Sequence, residues 1–173
     1  MNKRIRQWIG FASAIIAYYI VHEGAHFLYA ICTGVFKKIN FMGIGVQIDV
    51  YADQMTNAQL GIFCLVGPIA TLIAAYGLVL LTGRICRNQS KLFRACMYYI
   101  TIVMLFLDPV YLSVLCGFFG GGDMNGISLL VPESAARIGY CILLIGNAIL
   151  FWKRILPAYT HAFQNMNEQN LLI

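Results

Sequence analysis

Four stretches of the chain are almost without charge, and the polar residues collect between them. They run from about Gln7 to Val35, from Ala58 to Thr82, from Ala95 to Phe119 and from about Ile138 to Trp152. An α-helix rises 1.5 Å per residue, so about 20 apolar residues cross a hydrocarbon core of about 30 Å. The second stretch carries no charge across 25 positions, and the third is interrupted only by Asp108. The fourth is short by itself. It either draws on Ile127 to Val131 before Pro132 or forms a short helix held by its neighbours. The first is too long for a signal peptide and ends in no small-residue cleavage site, so it is expected to stay in the mature protein. The pattern predicts four spanning helices.

Between the first two stretches the period changes. In Ile44-Gly-Val46-Gln-Ile48-Asp-Val50-Tyr51, apolar residues alternate with small or polar ones, as in a half-buried strand. Gly43 and Gly45 permit a turn, so Ile39 to Tyr51 reads as a short β-hairpin or loop at the membrane edge. An open strand edge is not tolerated in lipid, so the hairpin is expected to lie against protein or in a water-filled cleft. The expected fold is an all-α polytopic membrane protein, with about four transmembrane helices and one hairpin between the first and second. Residues 1–163 read as a single integral-membrane domain and 164–173 as a polar, Asn/Gln-rich tail.

Charge sharpens this picture. Of 173 residues, 12 are basic and 7 acidic, 11% in all, against roughly a quarter in an ordinary soluble domain. So few charges do not cover the surface of a soluble fold, and a disordered chain would be far more polar. The basic residues mark the ends of the apolar runs: Lys3, Arg4 and Arg6, then Arg84 to Arg94, then Lys153 and Arg154. The Arg84 to Arg94 loop holds four bases and no acid, which predicts a cytoplasmic loop and, with four spans, cytoplasmic termini in a multi-pass protein of the cell membrane. Lys37 and Lys38 depart from that rule. No basic face with aromatic readers is present, which argues against nucleic acid. The six cysteines are scattered singly and suggest no disulfide framework.

The chemistry begins at His22-Glu23-Gly24-Ala25-His26, inside the first apolar run. Residues four apart share a helix face, so both imidazoles can reach one metal ion. Glu23 then stands where a general base meets the metal's water. The chain has only three histidines, and two of them bracket a carboxylate placed at membrane depth, where it costs a few kcal/mol. The third, His161, reads as an ordinary interfacial residue. Catalytic zinc takes three protein ligands and keeps a fourth position for water. A cysteine would make a softer, less Lewis-acidic site, which leaves Asp108 and Asp123 as candidates for the third ligand. Three glycines precede Asp123 and let the backbone approach a site closely. Asp108 precedes Pro109, where a carboxylate can instead serve a helix kink.

His22-Glu23-Gly24-Ala25-His26, then Gly67-Pro68, then Asp123 with Asn125-Gly126 resemble the site-2 protease family of intramembrane zinc metalloproteases. The resemblance covers roughly Tyr18 to Leu130 and corresponds to a minimal form without a PDZ domain. It implies Zn2+ held by His22, His26 and Asp123, with Glu23 as the catalytic base, a β-hairpin after the motif helix, and a Gly-Pro bend shaping the cleft. The expected activity is hydrolysis of peptide bonds in membrane-embedded or membrane-proximal protein substrates. The alternative is a non-catalytic metal-binding membrane protein, a transporter or a regulator with a relic site. Transport needs weak sites in series, whereas this chain concentrates its ligands at one place.

Overall fold

The computed structural model describes residues 2–43 and 45–169. Helix α1 spans Lys3–Cys32 and is started by the Asn2 side chain, which accepts from the Arg4 N–H. The chain then makes strands β1 (Phe36–Met42) and β2 (Gly45–Val50) before α2 (Asn57–Arg87), whose first turn is closed by a Thr56/Gln59 capping box. Helix α3 covers Lys91–Val110 and runs on through one wider π turn, Tyr111–Leu115. A short α4 (Asp123–Ile127) precedes α5 (Glu133–Leu150), and a second π turn leads into α6 (Leu156–Gln169).

Four of these segments, of 30, 31, 25 and 32 residues, are long and apolar enough to cross a membrane: Lys3–Cys32, Asn57–Arg87, Lys91–Leu115 and Glu133–Gln164. Their outward faces carry large apolar side chains. Ile16, Ile20, Ile73, Leu80, Ile142 and Ile149 are each more than half exposed.

The fourth segment is longer than the hydropathy pattern predicted. Ile127 to Val131 does not join it, because Ile127 ends α4 and α5 begins only at Glu133, after Pro132. At the other end, Lys153 and Arg154 mark the end of the apolar run, yet the helix continues past both and past Pro157. Pro157 has no N–H for a carbonyl one turn back, and the π turn over Phe151–Ile155 lies just where the ladder must adjust. The polar tail is helical through Gln169, and residues 170–173 lie outside the described residues.

The hairpin forms three residues earlier than expected. Ile39 faces Ile48, Asn40 faces Gln47 and Phe41 faces Val46 in antiparallel register, with an irregularity between Phe36 and Lys38. Ile44, at the start of the predicted alternation, lies outside the described residues. The rest of the alternation holds: Ile48 and Val50 are buried while Gln47 is exposed. Lys37, which fits no topology rule, reaches Asp49 across the hairpin at 3.4 Å and lies over the Tyr51 ring.

Two apolar clusters hold the helices together. One gathers Ala30, Ile48, Phe63, Leu112, Met124 and Tyr140 beneath the hairpin and α4. The other gathers Ala75, Val79, Met104, Leu105, Ile155 and Tyr159 toward the opposite end. Close approach of α4 to α2 depends on glycine. A Cβ on Gly61 would stand 3.0 Å from the Gly126 carbonyl oxygen, and one on Gly126 would stand 3.1 Å from the Leu60 carbonyl oxygen and closer still to Cys64 Sγ. That contact fixes where α4 presents its first residue, Asp123.

Candidate metal centre

His22 and His26 lie one turn apart on α1, at 6% and 3% exposure, with their Nε2 atoms 3.2 Å apart. Asp123 comes to them from α4. Its Oδ2 is 3.1 Å from His22 Nε2 and its Oδ1 is 3.6 Å from His26 Nε2. Gly120, Gly121 and Gly122 lead into it with φ of +85°, +86° and +49°, a left-handed run that side chains with a Cβ rarely adopt. The Asn125 side-chain amide donates to the Gly120 carbonyl at 3.0 Å and closes this loop.

The three residues can hold a metal ion. Ligands at about 2.0 Å around a tetrahedral ion stand about 3.3 Å from one another. The two imidazole nitrogens, 3.2 Å apart, and Asp123 Oδ2, 3.1 Å from His22 Nε2, are near that spacing, while the other carboxylate oxygen, Oδ1, faces His26 Nε2 at 3.6 Å. Space is kept as well as ligands. A Cβ on Gly67 of α2 would stand 2.9 Å from His22 Nε2 and nearer still to His26 Nε2, so any larger residue would enter the place where the two lone pairs converge.

The orientation of His26 is fixed by chemistry. Its Nδ1 is 2.7 Å from the Phe63 carbonyl oxygen, which can only accept, so Nδ1 carries the proton and Nε2 is left as a lone pair. Pro68 of the same helix has no N–H for the Cys64 carbonyl, so the ladder is interrupted one residue after Phe63.

Glu23 is half-buried, and its Oε2 accepts from the Ile48 N–H of β2 at 3.1 Å. It shares with the two histidines and Asp123 a cleft of about 670 Å³, walled also by Tyr18, Val46, Ile48 and Tyr111. Of the two aspartates considered for the third ligand, Asp123 joins both imidazoles. Asp108 instead sits behind His22, with Oδ1 3.4 Å from Nδ1, and accepts from the hydroxyls of Tyr18, at 2.5 Å, and Thr71. His161 is exposed on α6 and does not line this cleft.

Several contributors were not singled out from the chain. Tyr18, Thr71, the Phe63 carbonyl and the Ile48 N–H all touch the site residues. Two left a usable signal: Tyr18 precedes His22 by four residues and Thr71 follows Gly67 by four, so each shares a helix face with the site. The other two are backbone groups, for which side-chain identity gives no signal. Comparison with family models, curated proteins and solved structures finds no match for this chain.

Proposed function

We propose that the protein is an intramembrane zinc metalloprotease of the site-2 protease type. The observation that carries this reading is the convergence of His22, His26 and Asp123, whose ligand atoms lie within 4.8 Å of one another, with Glu23 in the same cleft. A divalent, nitrogen- and carboxylate-rich site with three protein ligands suits catalytic zinc. Zinc bound there supplies Lewis acidity and lowers the pKa of water to about 7. Glu23 takes the proton of the attacking water at its carboxylate and returns it to the leaving amine. Asp123 and the two imidazoles present their lone pairs on one side of the cleft, and Gly67 keeps that side open.

The membrane assignment rests on the exposed faces of the four long helices. In water, so many outward Ile and Leu side chains would be an aggregation liability; in lipid they are the expected covering. The charge pattern supports a cytoplasmic face at the Arg84 to Arg94 loop and at both termini.

The substrate in this reading is a transmembrane or membrane-associated polypeptide. A helical substrate hides its carbonyls in its own ladder and must unwind before attack. Strand β1 covers one edge of β2, and the Ile48 N–H turns the other way, toward Glu23. An unwound substrate adding to that second edge exchanges helical bonds for ladder bonds beside the general base. Proline at Val46 or Ile48 is therefore expected to lower cleavage while zinc content stays at the wild-type level; unchanged cleavage removes the strand from the mechanism.

The deciding experiment is Glu23→Gln with a candidate membrane substrate. The variant should retain zinc and lose turnover. Survival of turnover ends the general-base assignment, and metal-dependent flux in vesicles without cleavage replaces the protease reading with a transporter.

A further inference from the structure

The mechanism above leaves one buried carboxylate unused. Asp108 is 2% exposed, and a carboxylate taken out of water needs strong compensation. The simplest account is local: it precedes Pro109 and serves the kink. The structure removes that account. Pro109 cannot donate to the carbonyl four residues back, Leu105, and that oxygen is already satisfied by the Asn147 side-chain amide at 2.7 Å. Asn147 is in turn held by the Tyr76 hydroxyl at 2.8 Å. The Pro109 carbonyl accepts from Ser113 Oγ at 2.5 Å. The kink is served without Asp108.

What Asp108 does face is His22. Its Oδ1 lies 3.4 Å from His22 Nδ1, within ion-pair distance of a buried nitrogen that has no hydrogen-bond partner among the described residues. Two hydroxyls from two other helices hold the carboxylate in place: Tyr18 of α1 on Oδ1 and Thr71 of α2 on Oδ2. The Tyr18 ring also stacks on the His22 imidazole, with centroids 5.0 Å apart and planes at 26°. His22 is thus clamped on one face and aimed at one nitrogen.

We propose that Asp108 is a positioning residue: it holds His22 with its Nδ1–H toward the carboxylate, leaving the Nε2 lone pair for the metal beside His26 and Asp123. Resting on the metal-site reading above, the assignment makes the two histidines unequal. His26 is oriented by a neutral carbonyl and His22 by an anion, which makes His22 the more strongly donating ligand. Tyr18 and Thr71 act one step further back, by fixing the carboxylate.

The test is a chelator-competition titration of Zn2+ on the purified full-length chain, repeated with Co2+ so that the visible spectrum reports ligand geometry. Asp108→Asn keeps the shape and should weaken affinity by about tenfold; Asp108→Ala should weaken it by up to about 100-fold. Both should still saturate at one ion per chain, with a shifted Co2+ spectrum. Tyr18→Phe, which deletes one hydroxyl from the same cluster, should weaken affinity less and in the same direction. Asn147→Ala, which disturbs the Pro109 kink without touching His22, should lower the melting temperature and leave affinity unchanged. Wild-type affinity and spectrum in both Asp108 variants overturn the proposal. So does loss of all binding in Asp108→Ala with binding retained in Asp123→Ala, which would make Asp108 a ligand. Absence of metal binding by the wild-type chain is a different result: it removes the metal-site reading itself, and this proposal with it.

Discussion

The two ends of the helix assembly bury polar groups at similar depth and put them to opposite uses. At one end, Asp108, His22, His26 and Asp123 bond mostly to one another's side chains and converge on a cleft. At the other, Arg94 donates to the Ala162 carbonyl at 2.6 Å and to the Cys86 carbonyl at 3.5 Å, with its guanidinium 5.0 Å from the Phe163 ring. Asn147 likewise donates to a backbone carbonyl, that of Leu105. Groups of the second kind tie their helix to backbone oxygens of neighbouring helices. Burial alone does not separate a functional group from a structural one. The destination of its hydrogen bonds does.

If that distinction holds, a small change at the converging end should alter metal binding far more than folding. Gly67→Ala is the sharpest case. The added methyl would press on both Nε2 atoms, and an imidazole or α2 must move to admit it. Metal affinity is expected to fall on the order of 100-fold, equivalent to about 2–3 kcal/mol of overpacking concentrated at the site. The check is the same chelator competition, read beside the melting temperature. Wild-type affinity in Gly67→Ala would mean that the imidazoles are free to rearrange and that the cradle is not preformed.

The same distinction explains what could be read along the chain and what could not. The four apolar runs, the alternation over Val46 to Val50 and the His22/His26 spacing are local, periodic signals, and each corresponds to an element or a shared face in the structure. The approach of Asp123 to the histidines, 101 residues away from His22, was legible only through its glycines and through family resemblance. Asp108 was ambiguous because its partners, Tyr18 and Thr71, come from two other helices. The continuation of the last segment past Pro157 was hidden for another reason: a π turn absorbs what a regular helix does not tolerate, and it has no composition of its own. Lys37 looked misplaced by topology because its partner, Asp49, is reached only once the hairpin has folded.

At the structural end the expectation reverses. Arg94→Met keeps most of the side-chain volume but removes the charged donor to the Ala162 carbonyl and the stacking on Phe163. Hydrogen bonds to a charged group contribute about 1.5–3 kcal/mol, so a loss of about 2 kcal/mol of stability is expected, visible as a lower melting temperature in detergent. Zinc stoichiometry and affinity should stay at the wild-type value. A drop in affinity matching the loss of stability would show that the two ends are mechanically coupled.

The smallest effect belongs to Asn147, and it admits an internal control. Asn147→Ala removes the donor that covers the Leu105 carbonyl, and Pro109 offers no N–H to replace it. One buried acceptor left bare costs about 1–3 kcal/mol in water-soluble proteins, and interhelical bonds between apolar helices average nearer 0.6 kcal/mol, so a loss of about 1 kcal/mol is expected. Pro109→Ala restores an N–H at the position where the Leu105 carbonyl seeks one. In that background the Asn147→Ala change should become nearly neutral, because the helix supplies its own donor. The double-mutant cycle, read by thermal melting, should therefore show a coupling close to the whole effect of the single change. Additive losses would mean that Asn147 stabilises α3 and α5 through packing alone.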